Sequence, residues 1–438
     1  MENFAACAIT MKIRLLGVLS VAICVIRACL VFFQILVVVP RLSRVGHVGR
    51  PALKNNISDK FSLLQSKLAN FVLAACCIAA TSFISGCASD SLPDVLDLGT
   101  GPSVSIEGQR AIKQITWPPA DSGVISRYAY AGELYGEENF RPAKQESANF
   151  SQHVMGALRW LVGMDEVSNM PITLQRPQSG VVDQVGQRIL VSDTSRQAVY
   201  VFDQKEGRLD VWENATSLDR FIGPSGIALG LDGEVYVADT ELGYVTRLDK
   251  EGTSLAVIGQ GVLNRPLGVA FDAETQQLYV ADVHAHDIKV FDRTGQLLRT
   301  LGQRGEALGE FNFPTYLALY QGEIYITDTM NARVQVLDAM TGQAKRTIGE
   351  RGLNIGNLVR PKGVAVDAEG NIYVVESYYD YLLVFNRDGE LLLPIGGTGS
   401  EPGQFYLPTS VWADSSNRIF VADMFNRRVA IFKYLGGK

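Results

Sequence analysis

The sequence predicts an all-β fold: a six-bladed β-propeller of four-stranded antiparallel blades, closed by an N-terminal strand and preceded by an apolar leader. Three observations predict it. A pattern of short alternating strands recurs six times from residue 176 onward. Its anchor prolines, at 177, 224, 266, 314, 361 and 408, are 47, 42, 48, 47 and 47 residues apart. The 438-residue chain carries 42 glycines, a load that helical repeats tolerate poorly and turn-rich sheets absorb.

The leader spans residues 1–87. It holds nine basic residues against Glu2 and Asp59, which leaves 31 basic and 44 acidic residues downstream, a net of −13. So acidic a body repels phosphate backbones, and no nucleic-acid partner is expected. All six cysteines also lie in the leader, Cys87 being the last. The body therefore has no disulfide framework, no zinc–thiolate site and no cysteine nucleophile, which suits an oxidising compartment. The apolar run Leu15–Val39 is long enough to span a bilayer, but Arg27 near its middle makes it a poor span. A second run, Ala69–Ser85, follows Lys60 and Lys67 and ends in Ile84-Ser85-Gly86-Cys87. A basic start, a short apolar stretch and small residues before a cut site describe an export signal.

Those last four residues resemble a bacterial lipobox. The resemblance implies cleavage before Cys87 and lipidation of that cysteine. Ala88, where an aspartate would favour inner-membrane retention, leans towards an outer-membrane lipoprotein of the bacterial cell envelope. No methionine occurs between Met11 and Met155, so translation is expected to start later than Met1, at Leu63 or Leu64.

Residues 88–122, with Pro93, Pro102, Pro118 and Pro119, read as a tether. The propeller is assigned to 123–438. Within it Ser126–Pro142 reads as a strand, Arg127–Ala131, plus a glycine-containing linker. The sixth unit ends after its third strand, so this segment is expected to complete blade six and remove an open edge. A helical insertion is expected at about 143–175. Phe150, Val154, Met155, Leu158, Leu161 and Val162 recur there at helical spacing, with His153 and Trp160 between them.

Each unit runs from its proline through strands a, b, c and d. Strand b reads RILVSD, EVYVAD, QLYVAD, EIYITD, NIYVVE and RIFVAD in turn, and strand c follows with AVYVFD, YVTRLD, DIKVFD, RVQVLD, YLLVFN and RVAIFK. Linkers such as LGQRGEALGEFNFP (301–314) separate the units. The residues from about 176 to 433 resemble the NHL-repeat family of β-propellers. That resemblance implies fold far more than activity, since unrelated functions share propellers.

The acid closing strand b (Asp193, Asp239, Asp282, Asp328, Glu376, Asp423) is expected to be a turn device that accepts backbone N–H bonds, rather than a ring of cation ligands. The arginines of Asn331-Ala332-Arg333 and Asn426-Arg427-Arg428 are expected to be structural in the same way. His284 and His286 form an H-x-H motif, but a three-histidine site would need His153. No catalytic residue, metal set or cofactor is assigned. The b–c loops supply the expected interaction surface: Glu241, His284, His286, Met330, Asn331, Tyr378, Tyr379, Phe425 and Asn426. The expected role is an exported, lipid-anchored module that binds or scaffolds an envelope protein or glycan. The alternative is a metal-dependent lactonase-like hydrolase or lyase working at the central channel.

Overall fold

The computed structural model describes residues 95–98, 115–141 and 171–436. The leader with Cys87, and the stretch 142–170 that holds His153 and most of the expected helical insertion, lie outside the described residues.

Six four-stranded antiparallel blades follow the proline register. In blade 1 the strands are Pro177–Asp183, Arg188–Asp193, Ala198–Asp203 and Arg208–Trp212. Blade 4 repeats them as Pro314–Tyr320, Glu323–Asp328, Arg333–Asp338 and Ala344–Ile348. Blade 6 has Pro408–Ala413, Arg418–Asp423 and Arg428–Tyr434. Its next strand comes from upstream: Tyr128–Leu134 pairs antiparallel with Arg428–Tyr434, and Thr116–Trp117 adds a fifth.

The a strands form the hub. Each packs on the a strands of both neighbours, and that of blade 6 packs on that of blade 1. The core lies between blades rather than at the centre. One cluster, for example, joins Tyr325, Val334 and Val336 of blade 4 to Val364, Val374 and Leu383 of blade 5. This follows from the pleat: alternate residues point to opposite faces, and both faces of every blade are covered by a neighbour. Glycine after the anchor lets hub strands approach closely. A Cβ on Gly226 would sit 2.3 Å from the Leu267 carbonyl oxygen, and one on Gly363 2.5 Å from the Ser410 Cα.

Parts of the stretch read as a tether are packed. Val95–Leu96 pairs with Phe140–Arg141, and Trp117 meets Phe432 edge-on at 5.4 Å. Burying Leu96, Leu98 and Trp117 against the blades favours docking over a free linker. At the end of the expected helical insertion, Thr173 forms a β-bridge with Gly136, so residues 171–175 run extended.

Candidate functional site

Strand alternation puts every b–c turn and every linker into strand a at one end of the blades, the b–c face. The acids closing strand b sit just beneath it, and each is almost wholly buried. Asp193 accepts from the backbone N–H of Gln175 (2.6 Å), Arg176 (2.8 Å) and Arg196 (2.9 Å). Glu376 accepts from Val359, Arg360 and Tyr378, although burial still pushes its carboxyl above the usual range. Asp328 takes Asn312 N–H, Asn331 Nδ2, Arg333 Nε and Gln335 Nε2 at 2.7–3.0 Å. Each carboxylate thus ties the linker into its own blade, as a turn device should.

The expected surface residues divide into two groups. Three have side chains consumed by the fold. Asn331 Nδ2 donates to Gly305 O and Asp328, and Asn426 Nδ2 donates to Gly399 O and Asp423. His286 is buried at φ 60°, where its Nδ1 accepts from Phe313 N–H at 3.2 Å. The H-x-H motif therefore does not present two free imidazoles. Among the described residues no three His, Cys, Asp or Glu side chains gather in a metal-holding group.

Burial, and then the nearby Arg304, hold the His286 pKa below the ordinary 6.5, with the Phe311 carbonyl opposing them. The unfolded chain then takes the proton first as pH falls. The contribution of His286 is fully present above about 6.5 and is lost as pH drops towards the lower folded value. Thermal unfolding between pH 7.5 and 5 should therefore show a loss of stability that His286→Gln abolishes. Parallel pH curves for the two proteins would refute this assignment.

The second group is available. Glu241 pairs with Arg265 at 2.7 Å, both partly exposed, a contact contributing about 1 kcal/mol or less. His284 is exposed and lies 6.2 Å from the Phe313 ring. Met330 is 53% exposed, Tyr378 55% and Phe425 41%, with Tyr379 edge-on to Tyr378 at 4.9 Å. The structure adds two residues that sequence reasoning missed. Tyr406, 50% exposed, lies 5.4 Å from Phe425, and the Arg176 guanidinium sits over the Phe425 ring, 5.3 Å from its centre. Neighbouring blades thus present an arc of rings on one face.

One aromatic side chain crosses the hub beneath. Tyr316, on strand a of blade 4, is buried and donates its hydroxyl to Gln178 O of blade 1 at 3.2 Å. Blades 1 and 4 are opposite one another, so the ring crosses the axis. Burial pushes its phenol well above the ordinary range. The other anchors carry Ser179, Gly226, Gly268, Gly363 or Ser410 at that register, so one aromatic fills the space the small residues leave. On the opposite face a groove of about 1060 Å³ runs between blades 1 and 2. Its walls mix Asp203, Glu206 and Asp210 with Lys205 and Arg208, so it has no dominant sign of charge.

Comparison with known proteins agrees with the repeat. The family described as 6-bladed beta-propeller matches residues 356–437, and the NHL repeat matches 263–291. NHL-repeat-containing protein 4 of Homo sapiens is 36% identical over 94 residues, which cover 22% of this chain and 72% of that one. NHL repeat-containing protein 2 of Bos taurus is 32% identical over 155 residues; the match spans 28% of this chain and only 21% of that protein's length. A structural genomics protein of unknown function from Bacteroides thetaiotaomicron superposes with a TM-score of 0.49 at 15% identity, over 59% of this chain and 70% of that one. With its proline-anchored repeat and four-stranded blades, this chain belongs to the NHL-repeat family of six-bladed β-propellers.

Proposed function

We propose that this chain is a binding or scaffolding module rather than an enzyme, exported and held at the bacterial envelope by a lipid on Cys87. Its working surface is the b–c face, and its partner is an envelope protein or glycan. The observation that carries this reading is the arc of exposed Met330, Tyr378, Tyr406 and Phe425 on neighbouring blades. Exposed rings with a flat apolar face suit recognition, and Tyr406 and Phe425 are in contact with one another on that face. The net −13 of the body disfavours a nucleic-acid partner. The lactonase or lyase alternative has less behind it, because Tyr316 crosses the hub where such a site would lie and His286 is spent on a turn.

We further propose that the strand Tyr128–Leu134 seals the ring. It covers the outer edge of blade 6, and Glu133 anchors Arg428 at 2.8 Å. An uncovered edge would offer unpaired N–H and C=O groups to other chains.

The anchor is tested by feeding cells a labelled fatty acid. The wild-type protein should take up label and sediment with membranes, whereas Cys87→Ser should do neither. A native amino terminus with an unmodified Cys87 would overturn the anchoring.

A further inference from the structure

The six anchors alternate in a way the strand pattern does not require. Arginine precedes the proline in blades 1, 3 and 5 (Arg176, Arg265, Arg360), and a long side chain follows it (Gln178, Leu267, Lys362). In blades 2, 4 and 6 the following residue is Ser225, Thr315 or Thr409. These three hydroxyls are used internally. Ser225 donates to Leu267 O at 3.2 Å, Thr315 to Lys362 O at 2.9 Å, and Thr409 to Gln178 O at 2.9 Å. The short side chains thus clamp each even blade to the next odd one. The long side chains of the odd blades remain for the hub mouth. Gln178 gives the direction, since its Nε2 reaches Met424 Sδ (3.2 Å) and Thr194 Oγ1 (3.4 Å), both just past strand b on the b–c face.

Lys362 occupies the same register and is half-buried. Its backbone carbonyl accepts from Thr315 and Thr327, but among the described residues its ammonium has no ion pair or hydrogen bond. Burial lowers its pKa, and the neighbouring charge that lowers it further is another cation, Arg360. The Arg360 side chain makes no hydrogen bond or ion pair among the described residues; its charge favours the Glu376 carboxylate from a distance, and that carboxylate is held by backbone N–H groups. Ser410, packed where a Cβ on Gly363 would be, is 2% exposed, and its hydroxyl lacks a partner. A half-buried ammonium with no counter-ion, near a second cation, is an unfavourable arrangement in an otherwise acidic body. A visiting anion would relieve it.

We propose that the hub mouth on the b–c face receives a small molecule carrying more than one oxyanion group, carboxylate or phosphate, with Lys362 and Arg360 as its charged contacts and Tyr316 as its floor. This site deepens the reading of the b–c face as the working surface, because it names the chemistry of one ligand there. The two ideas can fail separately, since a soluble probe reports on the mouth alone.

Citrate serves as the multivalent probe and inorganic phosphate as the single-group one, each titrated calorimetrically into the full chain at low salt. The wild-type protein should bind citrate saturably, and added salt should weaken binding. Lys362→Gln should weaken it roughly tenfold or more, the worth of one charge-assisted contact, while Lys362→Arg should retain most of it. Without probe, Lys362→Gln should melt at the same or a higher temperature, so that lost binding is not lost folding. Tighter binding of phosphate than of citrate would assign the site to a single phosphate group and overturn the multivalent claim. Equal citrate affinity in wild type and Lys362→Gln, or no saturation in the millimolar range, would overturn the site.

Discussion

Removing residues 120–140 should cost the propeller most of its stability. The deletion takes away the strand Tyr128–Leu134, in which Tyr128, Ala129, Tyr130 and Leu134 are buried. Tyr128 contacts Tyr373 of blade 5 through a hydroxyl pair at 3.1 Å and Tyr434 through ring packing at 5.1 Å. Each large side chain withdrawn from water contributes about 1.5–3 kcal/mol. Three of them give roughly 5–9 kcal/mol, comparable with the whole stability of a typical domain. The melting temperature should fall by more than about 10 °C, and concentration-dependent association through the bared edge of Arg428–Tyr434 should follow. An unchanged melting temperature would refute the seal.

The second large effect is expected at Asp328. Substitution by alanine removes the acceptor of Asn312 N–H and Arg333 Nε, and one of the two acceptors of the fully buried Gln335 amide. Breaking a buried network on one side costs about 3–5 kcal/mol, because desolvated donors are left unpaired. Asp328→Asn keeps the shape and one acceptor oxygen, so it should cost less than half as much. Denaturant unfolding read at fixed m-value distinguishes the two. Equal and small losses for both would mean that the carboxylate does not tie the linker to its blade.

Much of the architecture was legible because it is periodic. The proline register predicted where every a strand begins, and the acid at the end of strand b announced its turn before any contact was visible. What periodicity could not convey is contact between distant positions. Tyr316 stands out in the sequence as the aromatic among small residues, but its reach to Gln178, 138 residues away, depends on blades 1 and 4 being opposite. His286 looks like half of a metal motif until its left-handed backbone and its bond to Phe313 are seen. Asn331 and Asn426 look like loop contacts, yet each amide is spent on the acid three residues before it. Lys362 was hidden by its ordinariness. One lysine in a repeat carries no signal until its register, and the clamping hydroxyls of the even blades, leave it alone at the hub mouth.

Two methionines offer the most direct test of the claim that the b–c face is the working surface. Met330 lies in the b–c turn of blade 4 and is 53% exposed. Met340 lies in the c–d turn of the same blade, at the opposite face, and is 64% exposed. Their oxidation by dilute peroxide can be followed by peptide mass spectrometry, in the purified chain and in intact membranes. Both should oxidise readily when the protein is pure; in membranes Met330 should be protected several-fold while Met340 keeps its rate. Equal rates for both in membranes, or protection of Met340 alone, would contradict the account.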